Sequence, residues 1–281
     1  MAGRIRNWIG KLFGHGGTVI PVVRLQGVIA ADTRPGRLNI AGVAPLLKRA
    51  FDMKAAPVVA IIVNSPGGSA VQSRLISKRI RDLAEETGKK VIVFVEDAAA
   101  SGGYFIAVGA DEIIADPSSI VGSIGVISAG FGFVEAIEKL GVTRRVYTAG
   151  KNKSTLDPFL PEKREDVDRL NAFALDVHHV FIDHVKTRRA GKLTAPDDEL
   201  FTGQWWSALS GLRLGLIDGL GDIHQTLRER YGADVQLKAI EPKRPLFALP
   251  RFGLSAAAAG SATGEVLASI EDRALWSRFG L

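Results

Sequence analysis

One stretch of the chain, KKVIVFVEDAAASGGYFIAVGADEIIAD (residues 89–116), decides the fold. Its first part, KKVIVFV, predicts a strand buried on both faces, because a continuous apolar run of strand length has no polar face to turn to water. The small, apolar run SGGYFIAVGA then predicts a helix, and DEIIAD predicts a second strand. Ser101 lies at the corner between the first strand and the helix, flanked by three alanines and two glycines. The stretch is therefore a strand–helix–strand unit with a lone hydroxyl at its corner.

The same alternation of strand and helix extends toward the N-terminus. The predicted elements there are the strand TVIPVVRLQGVI (18–29), a helix within 34–53, the strand APVVAIIVN (56–64) and an amphipathic helix over 69–88. Ser69 is the expected N-cap of that last helix and Gly88 its expected stop. Alternating strands and helices predict an α/β fold with a parallel sheet core, flanking helices and right-handed crossovers. Open sheets of this kind bind ligands at the carboxyl ends of their strands, where Ser101 lies.

Beyond residue 116 the chain predicts shorter strands and longer helices. These elements are the strands SIGVI (123–127) and TRRVYTAG (143–150), helices over 133–141 and 161–191, a helix–turn–helix over 203–232 and a terminal helix over 265–279. The low-complexity run SAAAAGSATG (255–264) predicts a flexible link. We therefore expect an N-terminal segment (1–17), one core domain (18–240) with a helical C-terminal part, and a partly flexible extension (241–281).

Composition removes several classes of function. The 281 residues include no cysteine, which excludes a disulfide framework, a cysteine nucleophile and thiolate metal sites. The net charge of +6 is spread thinly and accompanies no nucleic-acid-binding motif, so we expect no nucleic-acid partner.

The N-terminus is the one locally basic segment. MAGRIRNWIGKLFGHGG carries Arg4, Arg6 and Lys11 and no acidic residue. Apolar residues at helical spacing over residues 3–13 predict a short amphipathic helix, which either lies on a membrane surface or packs as an ordinary terminal helix. No segment predicts a membrane-spanning helix. We therefore expect a cytoplasmic protein, with residues 3–13 as the route to any peripheral contact with the inner face of the cell membrane.

The motif NSPGGS (residues 64–69) follows the second predicted strand. Pro66 fixes its own φ and favours an extended preceding residue. Gly67 and Gly68 open backbone angles closed to other residues and let a ligand approach the main chain. Free N–H groups at such a corner can face a developing negative charge, as in an oxyanion hole. The alternative is a simple tight turn.

Ser101 occupies the same kind of corner one unit later, and two interpretations are open. An exposed hydroxyl among small neighbours suits a nucleophile that must carry an acyl group. The alternative is an ordinary helix N-cap. The choice depends on whether the fold supplies a general base.

Two kinds of base are available. His178, His179 and His184 lie on the long helix predicted over 161–191, without strand-end or glycine-rich surroundings, so we interpret them as surface or packing residues. No carboxylate–histidine pattern has metal-ligand spacing. Lys151 and Lys153, in the loop YTAGKNKSTLDPFLP, are the other candidates, because serine–lysine pairs are a variant of the catalytic triad.

The motifs together resemble one family. NSPGGS, then AASGGYF, then VGSIGVI and then GKNKSTLDPF follow one another in the order and spacing of the signal peptide peptidase A family of serine peptidases, short form. That family belongs to the fold group of the Clp protease and crotonase. The resemblance covers residues 18–232 and implies a Clp protease/crotonase-like parallel sheet core.

The resemblance also implies roles for five residues. It makes Ser101 the nucleophile, Lys153 the general base, and Gly68 and Gly102 the main-chain donors of the oxyanion hole. It makes Ser123 the hydroxyl that orients the lysine. It further implies an endopeptidase that cleaves unstructured or signal-peptide-like peptides through an acyl-enzyme, without metal or cofactor, as a homo-oligomer whose sites are completed at subunit contacts.

Two other functions are compatible with parts of the sequence. A crotonase-like acyl-CoA enzyme would share the fold and the glycine oxyanion hole, and would use glutamates such as Glu96 and Glu112, although these are more simply strand-end surface groups. A non-enzymatic scaffold on a membrane surface would use the amphipathic segment and the positive charge. The combination of Ser101, Lys153 and Gly68 favours the peptidase over both.

Overall fold

The computed structural model describes residues 17–34, 36–242 and 272–281. The strands are β1 (Val19–Gln26), β2 (Val28–Ile29), β3 (Arg37–Leu38), β4 (Val58–Ser65), β5 (Lys90–Ala100), β6 (Glu112–Ala115), β7 (Ile120–Gly122), β8 (Trp205–Ser207), β9 (Gly219–Leu220) and β10 (Gln236–Ala239). The helices are α1 (Ile40–Phe51), α2 (Ala70–Thr87), α3 (Gly102–Ala107), α4 (Val134–Lys139), α5 (Arg164–Arg188), α6 (Asp197–Leu200), α7 (Ala208–Arg213) and α8 (Ile223–Tyr231), and residues 272–277 are also helical.

One sheet organises these elements. Its strands lie in the order β10-β1-β4-β5-β6-β9 and are parallel throughout. The short strand β7 continues beside the end of β5, and β8 pairs with β7 in the antiparallel direction. The predicted α/β fold with a parallel sheet core is thus confirmed.

The apolar strands divide their side chains between two cores. Val59, Ile61 and Val63 of β4 pack on the face covered by α1, α2, α3 and α5. Ala60 and Ile62 pack on the other face, where Leu227 of α8 joins them. Since β4 is buried along its whole length, its continuous apolar sequence is what the position requires.

The termini of α2 follow the sequence prediction. Ser69 accepts a hydrogen bond from the backbone N–H of Gln72, as an N-cap does. Gly88 has the left-handed conformation, with φ of 67°, in which glycine carries no penalty. Both boundary predictions are confirmed.

Three sequence predictions beyond residue 116 are wrong. SIGVI and TRRVYTAG are not strands: the strand in this region is β7, and residues 143–150 form no strand in the structure. Residues 126–163 leave the sheet as a largely exposed excursion, so alternating β-branched residues find no neighbouring strand there. The segment over 203–232 begins with β8 rather than with a helix, because Trp206 pairs with Val121 of β7.

Several predictions fall wholly or partly outside the described residues. The amphipathic helix over 3–13 and the flexible link over 255–264 both do so. Of the predicted terminal helix over 265–279, residues 272–277 are helical in the structure. None of the described helices is long and apolar enough to cross a bilayer. Across the same residues, no group of three or more histidine and acidic side chains is arranged to hold a metal ion.

Candidate active site

Ser101 lies where β5 ends and α3 begins, in a strained backbone conformation. Its φ is 51° and its ψ is −120°, a region that L-residues rarely adopt and that costs roughly 1–3 kcal/mol. Its N–H donates to the carbonyl oxygen of Gly122 at 2.8 Å, and its own carbonyl oxygen accepts from the N–H of Phe105 at 2.9 Å. Ser101 occupies the N-cap position of α3, but its side chain forms no capping hydrogen bond with the helix, so capping does not account for the hydroxyl. The fold holds the Ser101 backbone in a costly geometry and leaves the hydroxyl free for chemistry.

The NSPGGS corner presents a second free backbone group. Ile29 pairs with Gly68 in a parallel bridge, in which the N–H of Ile29 donates to the Gly67 oxygen and the N–H of Ser69 donates to the Ile29 oxygen, both at 2.8 Å. In a parallel bridge these two bonds belong to the neighbours of Gly68, so the N–H of Gly68 itself points away from Ile29. That N–H has no acceptor among the described residues.

Gly102 supplies another unpaired N–H beside the first. It is the first residue of α3, whose N-terminal N–H groups have no acceptor within the helix. A Cβ atom built on Gly102 would lie 3.4 Å from the Gly68 nitrogen and 2.3 Å from Ser73 Oγ. Two free N–H groups therefore lie close together beside Ser101, an arrangement suited to a carbonyl oxygen that gains negative charge.

A cavity of about 570 Å³ opens in front of these groups. Ser101, Gly68 and Gly102 form part of its lining. Most of the remaining wall is apolar: Val71, Phe105, Val126, Ile127, Val180 and Phe181. Such a cavity can hold one or a few apolar side chains next to the hydroxyl.

Ser123 lies beside Ser101 through the pairing of β5 with β7. Ala100 pairs with Gly122 in the parallel register, so the two serines are the next residues along neighbouring strands. Ser123 is buried, has a positive φ of 53°, and its N–H donates to the Gln204 oxygen at 2.8 Å. Ser123 therefore lies next to the Ser101 corner, and its role in orienting the lysine stays a prediction.

Lys153 and Lys151 lie elsewhere. Both are exposed, in the turn over residues 151–156, and neither lines the cavity of Ser101. The side chain of Lys153 forms no hydrogen bond or ion pair with any described residue. Within one copy, the structure brings together Ser101, Gly68, Gly102 and Ser123, and it does not bring Lys153 to them. Lys153 as the general base stays a prediction.

The excursion that carries Lys153, residues 126–163, is called the arm from here on. Its internal contacts are few: the rings of Phe133 and Phe159 stack 5.5 Å apart, and Arg144 pairs with Asp157 at 2.9 Å. Arg144 holds the pKa of Asp157 below its usual range. Large apolar side chains stay in solvent, with Phe131 81% and Tyr147 91% exposed. An arm with so little core of its own suits contact with another protein surface.

The histidines of α5 pack against the site. The ring of His184 stacks on Phe105 with centroids 4.2 Å apart, and its Nε2 lies 3.1 Å from both the Phe105 oxygen and Ser77 Oγ. Burial lowers the pKa of His184 to about 4. Nε2 of His178 lies 2.9 Å from the Ile124 oxygen, and His179 is exposed. The packing and surface interpretation is confirmed, although no local sequence pattern marks His184 as the support of a cavity wall.

The two glutamates of the acyl-CoA alternative are engaged in ion pairs. Glu96 pairs with Arg24, at 2.5 and 2.8 Å, and Glu112 pairs with Arg230, at 2.6 Å to each oxygen. Neither lines the cavity of Ser101. Glu112 begins β6, as the simpler interpretation expects, whereas Glu96 lies within β5, and both are partly exposed.

Comparison with known protein families decides the assignment. The model described as Peptidase family S49 matches residues 84–237, which include the Ser101 corner, the arm and α5. This chain belongs to peptidase family S49. The expected membership of the signal peptide peptidase A family is therefore confirmed.

Relatives differ in how much of their length this S49 chain covers. A putative protease of Synechocystis sp. (slr0021) is 31% identical over 240 residues, which are 80% of this chain and 79% of that protein. A protein of Brucella abortus named Na(+)/H(+) antiporter NhaA is 53% identical over 292 residues, which are all of this chain and 39% of that protein. The chain thus spans well under half of that longer relative, and we carry no transport activity over to it.

A solved structure has the same fold. A mutant of the 1510-N membrane-bound stomatin-specific protease superposes with a TM-score of 0.51 at 18% identity, covering 81% of this chain and 99% of that one. At this identity the likeness concerns the fold alone. It confirms the predicted parallel α/β core.

Proposed function

We propose that this chain is a serine endopeptidase in which Ser101 is the nucleophile and Lys153 the general base. The observation that carries the proposal is the strained, uncapped Ser101 beside the free N–H groups of Gly68 and Gly102. A fold that only turned a corner here would place glycine at position 101 and avoid the strain. The conformation is worth its cost where the hydroxyl must face a substrate.

The chemistry follows the serine–lysine form of acyl transfer. The neutral amine of Lys153 accepts the proton of the Ser101 hydroxyl, and Oγ bonds to the carbonyl carbon of the peptide. The N–H groups of Gly68 and Gly102 donate to the oxyanion. The C–N bond then breaks, and the leaving amine takes the proton from Lys153. Water attacks the acyl-enzyme and gives a proton to Lys153, which returns it to Oγ as the product acid leaves.

A second copy of the chain supplies Lys153 in this proposal. Lys153 is on the exposed arm, outside the cavity of its own copy, and the arm presents Phe131 and Tyr147 to solvent. Packing of the arm on a neighbour would bury this apolar surface and bring Lys153 to a Ser101 there. Ser123 lies beside Ser101 and would then be positioned to orient the amine of Lys153.

The cavity favours extended, apolar-rich peptides, such as unstructured or signal-peptide-like segments. Gly125, Val126 and Ile127 follow β7 without pairing to another strand, and all three line the cavity. A substrate in extended conformation can add to such a segment through its main chain. The apolar walls then hold its side chains, and no metal or cofactor has a part in the reaction. Any peripheral membrane contact through residues 3–13 is likewise a proposal.

Mass spectrometry of new chain termini tests the proposal. An unfolded protein is incubated with the wild type, Ser101→Ala, Lys153→Ala and, as the matched control, Lys151→Ala. We expect cleavage by the wild type and by Lys151→Ala, and none by the other two although they fold and assemble. Near-full activity in Lys153→Ala would refute the base, and no cleavage by a folded, assembled wild type would refute the peptidase.

A further inference from the structure

The C-terminal residues 272–281 form one wall of the Ser101 cavity. Leu275 and Arg278 line that cavity beside Ser101. The segment is held at both ends: Asp272 pairs with the nearly buried Arg37 at 2.8 Å, and the buried Phe279 meets Trp205 edge to face at 6.2 Å. This segment lies beyond residue 237, where the family match ends. It therefore adds to the cavity a feature outside the matched region.

The charged side chains that line the cavity are all positive. Among the described residues that line it, Arg74 of α2 and Arg278 carry charge, and none is acidic. Neither guanidinium forms an ion pair or hydrogen bond with a described residue. Some arginines outside the cavity pair with carboxylates, as Arg81 does with Asp111 at 2.8 Å and Arg189 with Asp218 at 2.6 Å, whereas Arg213 of α7 bonds to a serine hydroxyl instead.

Arg74 and Arg278 are both exposed, so their guanidinium groups are open to an incoming ligand. Two positive charges and no negative one at the same cavity favour an anionic group there. A guanidinium presents a planar set of N–H donors that matches a carboxylate. Apart from the hydroxyl and N–H groups at the Ser101 corner and Ser73, the remaining wall, which includes Val71 and Leu275, is apolar.

We propose that Arg74 and Arg278 select peptides that carry a carboxylate beside the apolar residues bound next to Ser101. This substrate class rests on the proposed peptidase function and narrows it. The carboxylate is either an acidic side chain or the C-terminus of the peptide, since both present the same two oxygens. A purely apolar peptide would enter the cavity without satisfying either arginine.

Matched peptides test the selection. The probes are decapeptides of alanine, leucine and valine that carry one Glu or one Gln at successive positions and are acetylated and amidated at their ends. A third series repeats the Gln peptides with a free C-terminal carboxylate. Cleavage is measured by kcat/KM, and binding by Kd to the Ser101→Ala variant, at low and at high salt. The enzymes are the wild type, Arg74→Gln/Arg278→Gln, the charge reversal Arg74→Glu/Arg278→Glu, and Arg79→Gln of α2 as control, since Arg79 pairs with Glu86 outside the cavity.

We expect the wild type and Arg79→Gln to prefer the Glu peptide over its Gln counterpart about three- to tenfold at the best position, less at high salt. The double Gln variant should lose that preference, and the charge reversal should invert it, so that the Gln peptide is preferred over the Glu peptide. If only the Gln peptide with a free C-terminal carboxylate is bound and cleaved better than its amidated counterpart, the C-terminus of the peptide is the group that the arginines bind.

Two failures are distinguishable. Equal binding and cleavage of all the peptides would overturn the selection and leave the peptidase standing. Carboxylate-dependent binding to Ser101→Ala, with no cleavage by the wild type, would overturn the peptidase and leave the carboxylate site. Absence of any carboxylate-dependent difference in binding would overturn the selection in either case.

Discussion

Gly67 leaves no room for a side chain because the side chain of Ser101 already occupies the space. A Cβ atom built on Gly67 would lie 2.7 Å from Ser101 Cβ and 2.9 Å from the Gly102 nitrogen. Its φ of 103° is also one that other residues avoid. The two glycine-bearing corners thus fit into each other, and the position of the hydroxyl depends on the absence of a methyl group across from it.

Gly67→Ala should therefore impair both activity and stability. The added methyl group must displace Ser101 or Gly102, and a displacement near 1 Å at a reacting group costs about 10²-fold in turnover. The strain at positive φ should lower the free energy of unfolding by roughly 1–3 kcal/mol. Peptide cleavage and urea denaturation measure the two effects.

Gly42→Ala is the matched control for that substitution. Gly42 lies in α1, and a Cβ atom there meets its nearest neighbour, Asn39 Oδ1, at an ordinary 3.6 Å. Alanine in a helix should add about 0.5–1 kcal/mol to stability, with activity unchanged. An equally inactive Gly42→Ala, or a fully active Gly67→Ala, would contradict the interlocked corners.

The strain at Ser101 can be measured by comparing two inactive variants. Ser101→Ala and Ser101→Gly both lack the hydroxyl, but only glycine adopts φ 51° and ψ −120° without penalty. We expect Ser101→Gly to be more stable than Ser101→Ala by about 1 kcal/mol in chemical denaturation, although glycine is usually the destabilising choice. A less stable glycine variant would indicate that the corner is not strained in solution.

Acid should weaken the fold through His184. Burial holds its pKa at about 4, below the ordinary value near 6.5, so the unfolded chain binds the proton more readily than the folded one. The stabilisation is complete above pH 6.5 and is lost as the pH falls toward 4. Between pH 7.5 and 5 this group should cost about 2 kcal/mol of unfolding free energy.

His184→Gln and His179→Gln separate that effect from other titrating groups. The first removes a half-buried ring that contacts Phe105, and the second removes an exposed one on the same helix. Denaturation at several pH values should give a flatter dependence for His184→Gln alone. Equal pH dependence in the wild type and His184→Gln would contradict the buried, neutral histidine.

Features that depend on neighbouring residues in the sequence could be predicted, whereas features that depend on contacts between distant parts of the chain could not. The strand β4 and the corner at Ser101 were predictable because an apolar run and adjacent glycines determine their structure locally. The run TRRVYTAG has the composition of a strand, yet strand formation needs a partner, which the arm does not meet within the described chain. Leu275 and Arg278 reach the cavity from more than 170 residues along the chain, and no local pattern marks such a contact.

The most direct test of the account is the activity of mixed assemblies of Ser101→Ala and Lys153→Ala. The two inactive variants are co-expressed with different tags, purified through both tags, and compared with wild-type assemblies of equal size by light scattering and peptide cleavage. If Lys153 serves the Ser101 of another copy, about a quarter of wild-type activity should return in large assemblies and about a half in dimers, because one contact in four of a random mixture joins an intact serine to an intact lysine and purification through both tags removes the unmixed assemblies. Mixed assemblies of normal size without activity would contradict the account, since no copy would then receive its base from a neighbour.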